Sequence, residues 1–273
     1  MEFYEIKQVE PWLYSIFDPL GAICYLAVGE KGALLYDTGF GIGDLAGAVR
    51  RITDKPLTVV LGHAHIDHAN GAYQFESAYL DDRELGLFAI HTSPDYRANC
   101  CNSLRESGID APPGFDPDVF RNAGGDAGKG AGADKLLSLK PGMIFDLGGL
   151  SCEVVDMAGH TAGSDGLLFK DKKTLLVSDA ANGHSWMFLD ESLPISEYVK
   201  MLDRVYELDF DIFYTGHDKE LRRKDMFKAY KKVALEATIE KSVPYERFPE
   251  LQPYFYEDKE IGVGIVIRAD KLK

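Results

Sequence analysis

The chain begins with short apolar or alternating runs at positions 12–17, 22–28 and 32–36, broken by Asp18-Pro19, Gly29-Glu30-Lys31-Gly32 and Thr38-Gly39. This pattern predicts a strand meander. Leu45, Val49 and Ile52 then recur at helical spacing behind Asp44. The β-branched run Leu57-Thr58-Val59-Val60-Leu61 follows as a buried strand. Strand, helix and strand make a βαβ-like unit, in which loops at the C-terminal strand ends are the usual places for chemistry. A second strand set is predicted at positions 144–147, 150–157, 166–169 and 174–177, with Asp171-Lys172-Lys173 as a hairpin turn between the last two. Helical spacing marks positions 195–208 and 226–241, a short strand fits 211–214, and a last strand fits 261–267.

Between these sets the pattern fades. Asn99-Cys100-Cys101-Asn102, Ala111-Pro112-Pro113-Gly114 and the glycine run at 124–132 are turn-rich and poor in core residues. They predict an irregular lid or insertion at about 84–137 within a single domain spanning 1–273. The glycine run is no phosphate-binding P-loop, because Ala123 and Gly130 stand where that pattern needs Gly and Ser or Thr.

Four potential metal ligands fall within six residues directly after the strand at 57–61: His63, His65, Asp67 and His68. His63 and His65 are two apart in an extended segment and so project to one side. Asp67 is a good helix N-cap, so Asp67 and His68 are expected to open a helix. A lone histidine is normally a satisfied core or surface residue. Three with an aspartate at a strand-to-loop edge predict a metal site, because imidazole and carboxylate suit zinc and its first-row neighbours.

Composition narrows the class. With 273 residues, 45% of them apolar, the chain can bury a sizeable core. A formal charge of −14 disfavours nucleic acid and anionic membrane as partners. No basic leader and no run of about 18 apolar residues is present. The four cysteines show neither metal spacing nor a disulfide framework, so the expected location is a reducing cytoplasm.

The His-x-His-x-Asp-His stretch resembles the signature of the metallo-β-lactamase superfamily. The likeness extends to Leu34-Leu35-Tyr36-Asp37-Thr38-Gly39, Gly159-His160-Thr161-Ala162-Gly163-Ser164, Leu176-Val177-Ser178-Asp179 and Tyr214-Thr215-Gly216-His217, in the family's order. The resemblance implies a four-layer αββα sandwich, two mixed β-sheets flanked by helices. It also implies a ligand set: His63, His65 and His160 on one divalent ion, Asp67, His68 and His217 on a second, and Asp179 bridging them. Zinc is the expected metal, with iron and manganese as alternatives. Asp37 is either a turn residue or, as the resemblance implies, a carboxylate steadying the histidine loop. His91, His184 and Tyr214 are candidate substrate contacts. The bland readings are a loop histidine for His91 and core packing for Tyr214. Trp186 and Phe188 border the segment that leaves Asp179, as substrate contacts or as core.

Three ligands per ion leave positions open for water and substrate, as a catalytic site needs. Two divalent ions, two aspartates and one hydroxide leave about one positive charge, which welcomes an anionic small-molecule substrate. The expected chemistry is hydrolysis of an ester, thioester or lactone, with Asp67 orienting the nucleophile and passing its proton on. The alternatives are a phospho- or sulfate-ester hydrolase, a mononuclear iron persulfide dioxygenase-like enzyme, and a non-catalytic binding protein. Asp179 stands where β-lactamase subgroups place a Cys, which lowers the weight of that activity. His65 argues against the flavo-diiron pattern, and the −14 charge against the RNA-processing relatives. Oligomeric state is open.

Overall fold

The computed structural model describes residues 3–122 and 136–272. The glycine run at 124–132 lies outside the described residues. By its internal contacts the chain forms two compact units, Met1–Cys152 and Glu153–Lys273.

In the first unit, β1 (Glu5–Glu10), β2 (Leu13–Phe17), β3 (Ile23–Val28), β4 (Ala33–Tyr36), β5 (Leu57–Val60), β6 (Ala78–Asp81) and β7 (Leu136–Leu139) form one sheet in chain order. Its first four strands are antiparallel neighbours; β4 to β7 run parallel. The change of direction has a simple cause. Helix α1 (Leu45–Ile52) returns the chain from the end of β4 to the start of β5. Asp44 caps it by accepting from Gly47 N at 2.8 Å. Leu45, Ala48 and Val49 of α1 pack with Leu35, Val59 and Leu61 in one core. Each leucine and valine among them contributes about 1.5–3 kcal/mol on full burial. A short strand, β8 (Ile144–Asp146), lies near the end of the unit.

The expected irregular cover is largely helical where described: α3 (Leu85–His91), α4 (Pro94–Glu106) and α5 (Pro117–Asn122) follow a one-turn helix α2 (Ile66–Ala69). Ser93 caps α4 by accepting from Tyr96 N, with Pro94 in its first turn. The buried stripe of α4 is Arg97, Cys100, Cys101 and Leu104. An arginine and two cysteines do not register as an apolar periodicity, which is why the pattern read as loop.

The boundary between the units falls inside β9 (Ser151–Asp156). In the second unit, β10 (Asp165–Phe169) and β11 (Thr174–Leu176) form the predicted hairpin, turned by Lys170–Lys172 with Lys173 left-handed at φ 50°. With β13 (Ile212–Tyr214) and β14 (Arg222–Arg223) they give the order β14-β13-β11-β10-β9. A further sheet, which the pattern did not predict as such, has the order β12-β17-β16-β15: β12 (His184–Met187), β15 (Val243–Pro244), β16 (Tyr254–Asp258) and β17 (Val263–Ile267). Helix α6 (Ile195–Tyr206) buries Ile195, Tyr198, Met201, Leu202 and Val205. Helix α7 (Met226–Glu236) adds Phe227, Tyr230 and Val233 to the same core, which also takes in Leu168, Leu175, Phe213 and Ile265. The predicted helix at 226–241 stops early because Ala237 turns extended, at φ −66° and ψ 120°, and Thr238 caps a separate 3₁₀ turn. Among the described residues, no helix is long and apolar enough to cross a membrane.

Candidate metal centre

Strand β5 ends at Val60, and the segment that leaves it carries the first donors. His63 Nε2 and His65 Nδ1 lie 3.1 Å apart, with the rings edge to face. Two imidazole nitrogens at that distance either share one proton or are drawn together by a common cation. Asp67 was expected to cap the following helix. The cap position is instead His65, extended at ψ 151°, and Asp67 sits within the first turn of α2. One turn is enough to set Asp67 Oδ2 3.5 Å from His68 Nε2.

A second layer of contacts fixes these donors. Asp37, left-handed at φ 64° and buried, accepts from Gly62 N at 2.7 Å through Oδ1 and from His68 Nδ1 at 2.9 Å through Oδ2. Because Nδ1 of His68 gives its proton to Asp37, its Nε2 is the unprotonated nitrogen of the ring. Thr38 holds the same turn, donating to the His68 carbonyl from its backbone N at 2.7 Å and from its hydroxyl at 2.9 Å. A Cβ at Gly71 would stand 2.2 Å from the Thr38 carbonyl oxygen, so the two loops approach at a distance only glycine allows. Glu84, buried, accepts from Ala64 N at 3.0 Å.

His91 belongs to this layer. Its Nδ1 accepts from Ile66 N at 3.1 Å, and its ring is stacked between those of His65 and Tyr96. Beneath lies Asn70, whose Oδ1 accepts from Arg97 Nε at 2.9 Å and whose Nδ2 donates to the Phe40 carbonyl at 2.9 Å. Arg97 is fully buried, donates also to the Phe120 carbonyl at 3.2 Å, and sits over the Tyr73 ring. Burial holds its pKa down to about 10. Behind β2, burial pushes the Asp18 carboxyl up to about 7, only partly opposed by its bonds from Leu20 and Phe40 backbone N–H groups.

The second unit carries the other donors. His160, at the end of the β9 segment, donates from Nδ1 to the Trp186 carbonyl at 2.7 Å, since that oxygen can only accept. Its Nε2 is thereby the unprotonated nitrogen of the ring and lies 3.8 Å from Asp179 Oδ2. The same Asp179 oxygen is 3.2 Å from His217 Nε2. Ser178, left-handed at φ 48°, turns the chain out of the β11 segment and accepts from Gly216 N at 2.7 Å, tying the Asp179 and His217 loops together. Tyr214 is buried in β13. His184 is mostly exposed on β12, edge to face with Phe255 and 3.9 Å from Glu257.

Within each unit, then, the candidate donors meet: His63 with His65 and Asp67 with His68, which spacing singled out, and Asp179 with both His160 and His217, which the resemblance implied. The sequence did not single out Glu84, Thr38, Asn70 or Arg97. Asn70 and Thr38 lay inside or beside recognised motifs. Glu84 carried no signal, because Asp82-Arg83-Glu84 reads as solvated charge.

Mixed sheets and flanking helices make an α/β fold whose paired histidine and aspartate donors could hold a metal ion. The chain belongs to the metallo-β-lactamase superfamily, whose model matches residues 18–217. It is a hydrolase of that fold. The acyl-coenzyme A thioesterase MBLAC2 of Bos taurus is 28% identical to it over 228 residues, 76% of this chain and 77% of the relative. The Homo sapiens protein of the same name matches to the same extent. Among solved structures, a metallo-β-lactamase from Pontibacter korlensis superposes with TM-score 0.58 at 12% identity, over 86% of this chain and all of that one. The sec-alkylsulfatase Pisa1 from Pseudomonas sp. gives TM-score 0.60 at 18% identity, over 85% of this chain and 41% of that one. These structural likenesses show the fold.

Proposed function

We propose that the chain is a metal-dependent thioesterase acting on small carrier-bound acyl groups. In this reading His63, His65 and His160 hold one divalent ion, Asp67, His68 and His217 hold a second, and Asp179 serves both. One observation carries it: in each unit a donor histidine has its Nδ1–H committed to a fixed acceptor, Asp37 for His68 and the Trp186 carbonyl for His160. Such commitment exposes Nε2 as a lone pair, the arrangement that metal-ligating imidazoles require. The donor set of imidazole and carboxylate fits zinc. Bound there, two such ions would supply a Lewis acid and bring the pKa of water towards about 7.

The remaining work falls to the chain. Asp67, about one-fifth exposed, orients the attacking water and takes up its proton. Asp37, Thr38 and Glu84 hold the histidine loop so that no donor has to be ordered during turnover. A thiol leaves readily as its anion, with a pKa near 8.5, so no acid stronger than Asp67 is needed at the leaving group. The thioester is chosen over oxygen ester and lactone by the relatives' activity, and over sulfate ester because the sulfatase likeness concerns the fold.

The test is a substrate panel run on zinc-loaded and chelator-stripped protein: a coenzyme A thioester, an aryl ester, a lactone and a secondary alkyl sulfate. The thioester is expected to exceed the others in kcat/KM by at least about a hundredfold, roughly 2.7 kcal/mol of transition-state preference. Activity is lost on stripping and recovered with zinc. A preference for the sulfate overturns the reading, as does oxygen uptake with a persulfide in protein carrying one iron.

A further inference from the structure

The four-stranded sheet of the second unit carries an aromatic face that the proposed hydrolytic chemistry does not use. Strand alternation puts His184 and Trp186 on the same side of β12, while Ser185 and Met187 face the core. The register sets Trp186 beside Val266, and Val266 beside Phe255. A Cβ at Gly264 would stand 2.5 Å from the Phe255 ring, so glycine there lets that ring lean across towards His184, 5.1 Å between centroids. The segment 245–248 then folds onto Trp186. Its Phe248 and Tyr245 rings lie 5.4 and 6.3 Å from the indole, and fully buried Phe188 packs against all three.

Arg247 completes the arrangement. Its guanidinium carbon sits 4.9 Å from the Trp186 centroid and 5.6 Å from that of Phe248, while the residue itself is exposed. No acidic group among the described residues pairs with it. A guanidinium whose face is spent on rings keeps its N–H edge for a bidentate anion such as phosphate. Partly exposed aromatic faces beside it can take a nucleobase by stacking. The platform is also tied to a donor, since the Trp186 carbonyl accepts the His160 Nδ1 proton.

Resting on the thioesterase reading, we propose that this face is the subsite for the nucleotide end of the carrier thiol, with Trp186 as stacking platform and Arg247 as phosphate contact. Arg247 and Trp186 are thus specificity residues for a phosphorylated adenine-nucleotide carrier, which an unadorned ester or lactone lacks. Glu246 and Glu250 on the same segment and Glu257 beside His184 cancel the long-range field, so recognition rests on contact geometry.

Trp186 is one of only two tryptophans. Trp12→Phe therefore leaves it as the sole indole reporter. Metal-free protein is titrated with adenosine 3′,5′-bisphosphate and, separately, with decanoate. A saturable change in indole fluorescence is expected with the bisphosphate. It weakens about tenfold in Arg247→Gln and is only partly restored by Arg247→Lys, which keeps the charge without the fork. No change up to millimolar bisphosphate overturns the proposal, as does equal affinity in Arg247→Gln. A response to decanoate alone overturns it too, because the face is then an acyl wall. Calorimetry on the unaltered chain gives the same comparison if Trp12→Phe fails to fold. The two readings separate cleanly. Bisphosphate binding without thioester hydrolysis sinks the thioesterase reading and keeps the subsite. Hydrolysis with an unchanged KM for a coenzyme A thioester in Arg247→Gln does the reverse.

Discussion

Asp37 meets two demands at once. Its backbone must be left-handed, and its two oxygens must receive the Gly62 amide and the His68 ring. Asparagine accepts the same backbone region but has one acceptor oxygen for two donors. Asp37→Asn is therefore expected to keep the melting temperature within a few degrees while weakening zinc binding about 10–100-fold, read by competitive titration. Asp37→Ala adds backbone strain of about 1–3 kcal/mol and lowers the melting temperature as well.

Asp18 bears on stability instead. Oδ1 accepts from Leu20 N at 2.9 Å, while Oδ2 has no partner among the described residues, and desolvation pushes its pKa from 3.8 to about 7. The folded state thus prefers the protonated acid. Its contribution is fully present below the unfolded pKa near 4 and is lost as pH rises through 7, a swing of about 4 kcal/mol for three units. Urea unfolding of metal-free protein at pH 4.5 and 8 checks the sign. Asp18→Asn should gain on the unaltered chain as pH rises, and a difference that does not vary with pH refutes the assignment. The supporting role of Asp37 was open to sequence through the resemblance, beside its reading as a turn residue, whereas Asp18 reads only as half of an Asp-Pro break until its burial is known.

At the scale of elements, the parts read correctly were those in which local and tertiary signals agree. The β2 to β5 pattern, the cap at Asp44 and the β10–β11 turn all place apolar residues at the period of the element they form. Helix α4 was missed because its buried stripe is built on Arg97, Cys100 and Cys101, so its amphipathicity is tertiary. Strand β12 was missed for a related reason, since its partner β17 lies some 80 residues on in the chain. Arg97 is the test of what α4 does. It brings a buried cation to Asn70, two residues past His68, and to the Phe120 carbonyl. Arg97→Met removes the charge but strands the acceptors of Asn70 and Phe120, and is expected to cost about 1–3 kcal/mol in urea unfolding. An unchanged midpoint would mean that α4 does not support the histidine loop.

For the whole chain, order of motifs did more than any single residue. Positions 34 to 217 carry the ligand motifs in sequence, and the family match spans 18–217. Five of the seven histidines fall on the proposed ligand positions, while His91 buttresses one of them and His184 joins the aromatic face. The fold was legible through the family resemblance of those motifs, and the 63–68 cluster stood out because metal chemistry restricts residue type and spacing together. The scaffold behind them was not, since Glu84, Asn70 and Arg97 act through contacts between segments far apart in sequence. A chain of charge −14 also gives no hint of a cation held for phosphate. Arg247 is visible only beside Trp186.

The proposed ligand set can be tested ion by ion. The most direct measurement is metal content per chain, by mass spectrometry after zinc loading and desalting, for the unaltered protein, His63→Ala and His160→Ala. Two ions are expected in the unaltered chain and one in each variant, because both variants remove a proposed ligand of one ion. No bound metal, or two ions retained in both variants, would contradict that set.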